Sequence, residues 1–208
     1  MKLKVCGMKY KDNIEAVASL QPDYLGFIFY SKSTRNFTNS HITEIPNSIK
    51  KVGVFVNETL DMVLEKIKQF NLQVVQLHGN ESPQFCALLN KVEVIKVFSI
   101  KDQFNFKVLQ PYEDVCDFYL FDTKGELPGG NGYTFKWDVL KNYPSSKPYF
   151  LSGGIGWYET EKIKAFKESS ASKYCYAIDV NSKFEIAPGL KNIEELEKFK
   201  KQITSSGF

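Results

Sequence analysis

Arginine is almost missing from this chain. Of its 27 basic residues 26 are lysine, and Arg35 stands alone; histidine is nearly as scarce, with only His41 and His78. The four cysteines, Cys6, Cys86, Cys116 and Cys175, show no CxxC spacing. With so few imidazoles this argues against a His/Cys metal site and for a reduced, cytoplasmic protein. No stretch of 18 apolar residues exists, so no membrane-spanning helix is expected. The N-terminus places Lys2, Lys4, Lys9, Lys11 and Asp12 among its apolar residues, which leaves no room for a signal-peptide core. A net charge of +3 carried by scattered lysines gives no footprint for nucleic acid. There is no linker, repeat or low-complexity tract. At 208 residues and 43% hydrophobic content, one large domain (1–208) with one core is expected.

What is there is an alternation. Apolar runs read as strands at Leu3–Gly7, Tyr24–Tyr30, Lys51–Asn57, Gln73–His78, Val92–Phe98, Asp117–Thr123, Pro148–Gly153 and Cys175–Val180. Several, such as Gly26-Phe27-Ile28-Phe29, are apolar at consecutive positions, as strands covered on both faces must be. Helical patterns fall between and after them, at Asp12–Leu20, Ser40–Ile45, Glu58–Phe70, Ser82–Leu89, Asp102–Leu109, Phe135–Leu140, Trp157–Lys167 and Asn192–Ile203. Ser82-Pro83 and Asn192 have the chemistry of helix starts. Eight strands and eight helices in this length predict a minimal (β/α)8 TIM barrel, with an open doubly wound sheet as the alternative. Barrel sites lie at strand C-termini. That rule nominates Cys6, Arg35, Asn57, His78, Asp122, the Ser152-Gly153-Gly154 turn and the Asn181-Ser182 turn. It also places Cys6 and Cys175 at opposite rims, which excludes a disulfide between them.

The stretch Tyr149–Trp157 is the most telling. A short apolar strand, a Ser-Gly-Gly turn and a helix start make a nest of backbone N–H groups suited to phosphate. A solitary arginine has a matching logic, because its planar fork recognises carboxylates in a way that lysine does not.

Taken together, the motifs resemble the phosphoribosylanthranilate isomerase family over essentially the whole chain. They are Lys4-Val5-Cys6-Gly7, Gly26–Tyr30 followed by Ser31–Arg35, Val52–Asn57, Val75-Gln76-Leu77-His78-Gly79, Phe121–Lys124, Gly129–Phe135, Leu151–Gly154 and Asp179-Val180. The resemblance implies an Amadori rearrangement of N-(5-phosphoribosyl)anthranilate to 1-(2-carboxyphenylamino)-1-deoxyribulose 5-phosphate in tryptophan biosynthesis, without metal or cofactor. It implies Asp122 as general acid on the furanose ring oxygen and Cys6 as general base on the sugar C2 proton. Arg35 would bind the anthranilate carboxylate. His78, Ser152, Gly153, Gly154, Asp179, Asn181 and Ser182 would line the substrate, and the protein would act as monomer or homodimer. An apolar setting, suggested by Phe118 and Phe121, would keep the Asp122 carboxyl protonated, and a nearby cation or the phosphate nest would be needed to favour the Cys6 thiolate. The glycine-rich Lys124–Tyr133 loop reads as a lid. The chain departs from the family pattern at Lys183, where a glycine is usual, and at Asn192, where an acid is common. The alternatives are an indole-glycerol-phosphate synthase, which needs a Lys-Glu pair, a histidine-pathway isomerase, which needs two aspartates, and a non-catalytic phosphosugar-binding barrel.

Overall fold

Parallel pairing is the rule throughout the chain's main sheet, and in a parallel sheet both faces must be covered. The computed structural model, which describes residues 1–123 and 134–205, meets that demand by closing the sheet on itself. The strands β1 (Lys2–Val5), β2 (Tyr24–Phe29), β3 (Lys50–Phe55), β4 (Val74–Leu77), β5 (Glu93–Ile100), β6 (Phe118–Thr123), β7 (Tyr149–Leu151) and β8 (Cys175–Val180) follow one another around a closed barrel. The closure is made by β1 against β8, with Lys4 opposite Asp179 and Val5 opposite Val180. This is the expected (β/α)8 barrel, not the open sheet.

Strand parity divides the core in two. Cys6, Val52, Val54, Val74, Ile95, Val97, Leu120, Phe150 and Ala177 pack together in one cluster that fills the barrel. Their sequence neighbours Val5, Phe55, Val75, Val94, Phe121, Leu151 and Ile178 belong to a larger cluster that meets the helices. Because side chains alternate along a strand, two residues beyond Val74, Leu120, Phe150 and Ala177 come Gln76, Asp122, Ser152 and Asp179, all turned to the inside. The polar mouth of the barrel is thus a continuation of its apolar interior.

The α-helices are α1 (Lys11–Ser19), α2 (Leu60–Phe70), α3 (Pro83–Ala87), α4 (Thr160–Glu168) and α5 (Ile193–Ser205). Starts follow local chemistry. Thr59 caps α2 by accepting from the Met62 N–H, and Ser82 caps α3 by accepting from the Phe85 N–H ahead of Pro83. Asn192 accepts from Glu195 and Leu196 at the start of α5. Such a cap contributes about 1 kcal/mol.

Three expected helices differ. Residues 40–45 are irregular, because Pro46 disfavours the helical region for Ile45 and six residues with three β-branched side chains cannot nucleate a turn. Ile42 and Ile45 pack against the core instead. The segments expected at 102–109 and 135–140 are 3₁₀ turns at Phe106–Tyr112 and Trp137–Asn142. Pro111 lies inside the first, and Pro144 stands just past the second. A short antiparallel hairpin, β9 (Glu185–Ala187) and β10 (Leu190–Lys191), follows β8 and was not expected. The four cysteines are free. Among the described residues no helix is long and apolar enough to cross a membrane. The lid expected at Lys124–Tyr133 lies outside the described residues.

Candidate active site

The inward-facing residues at the C-terminal rim enclose a cavity. Cys6, Arg35, His78, Asp122, Ser152, Gly153, Gly154, Asp179, Asn181, Ser182 and Lys183 all line it, together with Gln76. The chain therefore brings every expected site residue but one to the same place. Asn57 turns aside; its amide oxygen accepts from the Asn80 N–H at 2.6 Å, and its own N–H donates to Glu81.

Cys6 follows the last residue of β1 and shares its inward parity with Lys4. The Lys4 ammonium, wholly buried, donates to both oxygens of Asp179 at 2.9 Å. Burial is the largest single influence and pulls Lys4 down, yet the charges and hydrogen bonds of Asp179 and Cys6 together outweigh it and hold Lys4 above the usual lysine range. Burial pushes the Cys6 thiol up, and the positive charge of Lys4 works against that rise. The cation called for by the sequence is therefore present, but desolvation prevails over it. Asp179 has both oxygens engaged by Lys4, so it lines the cavity as half of an ion pair.

Asp122, at the end of β6, has polar company where the sequence suggested an apolar pocket. Its Oδ1 accepts from the Thr123 N–H at 2.9 Å, and its Oδ2 lies 3.4 Å from His78 Nε2. Gln76 Nε2 lies 3.4 Å from His78 Nδ1. With Gln76 donating there, the imidazole carries its proton on Nε2, facing Asp122. Phe118 packs against Phe150 and Tyr176, two inward positions below the carboxyl, and Phe121 faces outward, away from it.

The glycine turn after β7 is shaped for close approach. Gly153 and Gly154 both adopt left-handed backbone, at φ +92° and +67°. A Cβ on Gly153 would lie 2.5 Å from the Thr123 nitrogen, so only glycine fits. Among the described residues, the N–H groups of Gly153 and Gly154 meet no protein acceptor. Across from them, Asn181 leads into a 3₁₀ turn at Ser182–Phe184. Lys183 sits in that turn without left-handed strain, and its stem packs over Gly156. The position does not demand glycine, so the lysine found there fits without backbone strain.

Arg35 lies in the loop after β2. Its Nε and Nη2 grip the Glu185 carboxylate at 2.7–2.9 Å. Gln76 lines the cavity and Lys4, Glu185 and Lys191 hold residues that do; the sequence reading assigned none of the four to the site, although Lys4 and Gln76 lie within its motifs. Parity was the available signal for Lys4, two residues before Cys6, and for Gln76, two before His78. No such signal exists for Glu185 and Lys191, which lie in a hairpin too short to show a period.

The family model described as N-(5'phosphoribosyl)anthranilate (PRA) isomerase matches residues 3–202. The N-(5'-phosphoribosyl)anthranilate isomerase of Parabacteroides distasonis is 42% identical, with 98% of this chain and 93% of the relative aligned. Among solved structures, the phosphoribosyl anthranilate isomerase of Thermus thermophilus is similar with a TM-score of 0.84 and 25% identity over 99% of both chains. Another solved isomerase, in complex with reduced 1-(o-carboxyphenylamino)-1-deoxyribulose 5-phosphate, is similar with a TM-score of 0.79 and 25% identity, again over 99% of both chains. Barrel, cavity and relatives agree, and the chain belongs to the phosphoribosylanthranilate isomerase family.

Proposed function

We propose that this protein opens the ribose ring of N-(5-phosphoribosyl)anthranilate and isomerises it to 1-(2-carboxyphenylamino)-1-deoxyribulose 5-phosphate, a step of tryptophan biosynthesis. One observation carries the reading. Cys6 and Asp122, from β1 and β6, line the same cavity as the sole arginine and the Gly153-Gly154 nest. A substrate with phosphate at one end and a carboxylate at the other has a complementary group for each.

In this reading the phosphate rests on the N–H groups of Gly153 and Gly154, facing the Asn181-Ser182 turn, with Lys183 adding charge. Asp122 delivers a proton to the furanose oxygen as the C1–O bond breaks and the anilino nitrogen pushes its lone pair into a C=N bond. Cys6, as thiolate, then takes the C2 proton, and the electron pair left behind neutralises the iminium to give an enolamine. Ketonisation of that enol completes the isomerisation with no net gain or loss of atoms. Lys4 opposes the desolvation of the thiolate without cancelling it, and His78 holds the Asp122 carboxyl toward the cavity. The relative solved with reduced product analogue supports a phosphosugar–anthranilate ligand of this class. Four free thiols fit a reducing cytoplasm.

The test is turnover. Conversion of N-(5-phosphoribosyl)anthranilate is followed by loss of anthranilate fluorescence. Robust conversion by the purified protein is expected. Tight binding without turnover would instead mark a phosphosugar-binding barrel.

A further inference from the structure

The guanidinium of Arg35 is already occupied on one edge. Nε donates to both Glu185 oxygens at 2.9 Å and Nη2 donates to Oε2 at 2.7 Å, which is side-on, bidentate pairing. Arginine has five N–H donors in a fixed plane. Side-on pairing consumes Nε and one proton of Nη2, and it leaves the end-on pair, one proton each from Nη1 and Nη2, pointing along the side-chain axis. Among the described residues no acceptor engages Nη1.

Glu185 is itself held by a second cation. Lys191, almost fully buried, donates to Glu185 Oε1 at 2.7 Å, to the Asn181 side-chain oxygen at 2.7 Å and to the Asn181 carbonyl at 3.3 Å. Three acceptors match the three protons of an ammonium. Burial pushes Glu185 up, but Arg35, Lys191 and the Gly189 N–H outweigh it and hold the carboxyl below its usual range. Burial pulls Lys191 below the usual lysine range and the Glu185 charge opposes the fall; with both cations charged, the one carboxylate leaves the cluster a single positive charge, at the rim of a cavity. Gly7 closes it from behind, where a Cβ would lie 2.6 Å from the Asn181 side-chain oxygen and 3.0 Å from Arg35 Cδ.

We infer that Glu185 and Lys191 are positioning residues that clamp Arg35 side-on, so that its end-on N–H pair meets the aromatic carboxylate of the substrate. This rests on the substrate reading above. The surplus charge matches a single carboxylate, and a buried anion there restores neutrality. The same Lys191 fixes Asn181, so the β9–β10 hairpin ties the carboxylate end of the site to the turn facing the phosphate. It also explains why the one arginine cannot be a lysine. A lysine has no second edge to offer once Glu185 is paired.

The test compares two ligands by titration: reduced 1-(2-carboxyphenylamino)-1-deoxyribulose 5-phosphate and its phenyl counterpart without the carboxyl. The wild-type protein should favour the first. Glu185→Gln should weaken the first tenfold or more and the second less than twofold, and Glu185→Asp, which restores the charge, should regain part of the loss. Kinetically, KM should rise with kcat nearly unchanged. Equal weakening of both ligands would show a merely structural role and overturn the proposal, as would no weakening or a wild-type protein indifferent to the carboxyl. Should Glu185→Gln not fold, Arg35→Lys makes the same comparison, and its expected result is loss of the carboxyl preference; retention overturns the proposal. Absence of turnover by the wild-type protein would sink the reaction assignment while leaving this binding comparison to decide the clamp.

Discussion

Lys4 and Asp179 face each other across the seam that closes the barrel, with the ammonium 2.9 Å from both carboxylate oxygens and neither side chain more than 6% exposed. They are register partners of β1 and β8, so the pair is set by the same hydrogen-bond ladder that joins first strand to last. Removing one partner strands a buried charge, a change that typically costs about 3–5 kcal/mol. Lys4→Met should therefore destabilise the protein on that order, read by urea unfolding. Lys4→Met/Asp179→Leu should recover most of the stability but not the activity. Full activity in the double variant would confine the pair to a structural role.

The Cys6 thiol offers a pH readout. Burial holds it above its ordinary value and Lys4 opposes the rise. The rate of Cys6 alkylation by iodoacetamide, followed by peptide mass spectrometry, should climb with pH through a midpoint above 9.0, the ordinary value. Lys4→Met removes the positive charge that opposes the rise, so it should move that midpoint further up. A midpoint unmoved or lowered would contradict the electrostatic coupling.

The glycine turn makes a steric prediction. Gly153 holds φ +92°, and an added Cβ would run into the backbone of Thr123, the residue after Asp122. Gly153→Ala should cost on the order of 1–3 kcal/mol for the left-handed backbone and clash. By displacing the end of β6 it should also lower kcat. Gly154→Val, at φ +67°, should weaken inhibition by inorganic phosphate; unchanged inhibition by phosphate would place the phosphate site elsewhere.

How much of this was legible beforehand follows a physical divide. β8 matches its sequence reading at both ends, Cys175–Val180, and the other seven strands fall within a few residues, because apolar runs bounded by turn chemistry report burial directly. The segment at 40–45 failed because its apolar spacing recorded packing of Ile42 and Ile45 and not a helix. Cys6, Asp122 and Arg35 were named from motifs, while their partners Lys4, His78 and Glu185 were only partly foreseen. Glu185 lies 150 residues from Arg35, and an ion pair formed by closure of the barrel leaves no local periodic trace.

Cys6 and Asp122 line one cavity from different strands, and neither is bonded to the other. Cys6→Ser keeps the size of the side chain but replaces an ionisable thiol with a hydroxyl too weakly acidic to serve as base. Asp122→Asn keeps the shape and can still meet His78 and the Thr123 N–H, but it delivers no proton. Positioned general acids and bases contribute about 10²–10⁴ in rate. Each substitution should therefore lower kcat by that order while KM stays within a few-fold. Both are close to isosteric, so thermal unfolding should shift little. Adding Lys4→Met to Cys6→Ser should lower kcat no further, since Lys4 acts through the thiol that has already been removed. Near-native kcat in Cys6→Ser would leave Cys6 as packing, and a further large loss on adding Lys4→Met would show that Lys4 serves the reaction by a route of its own.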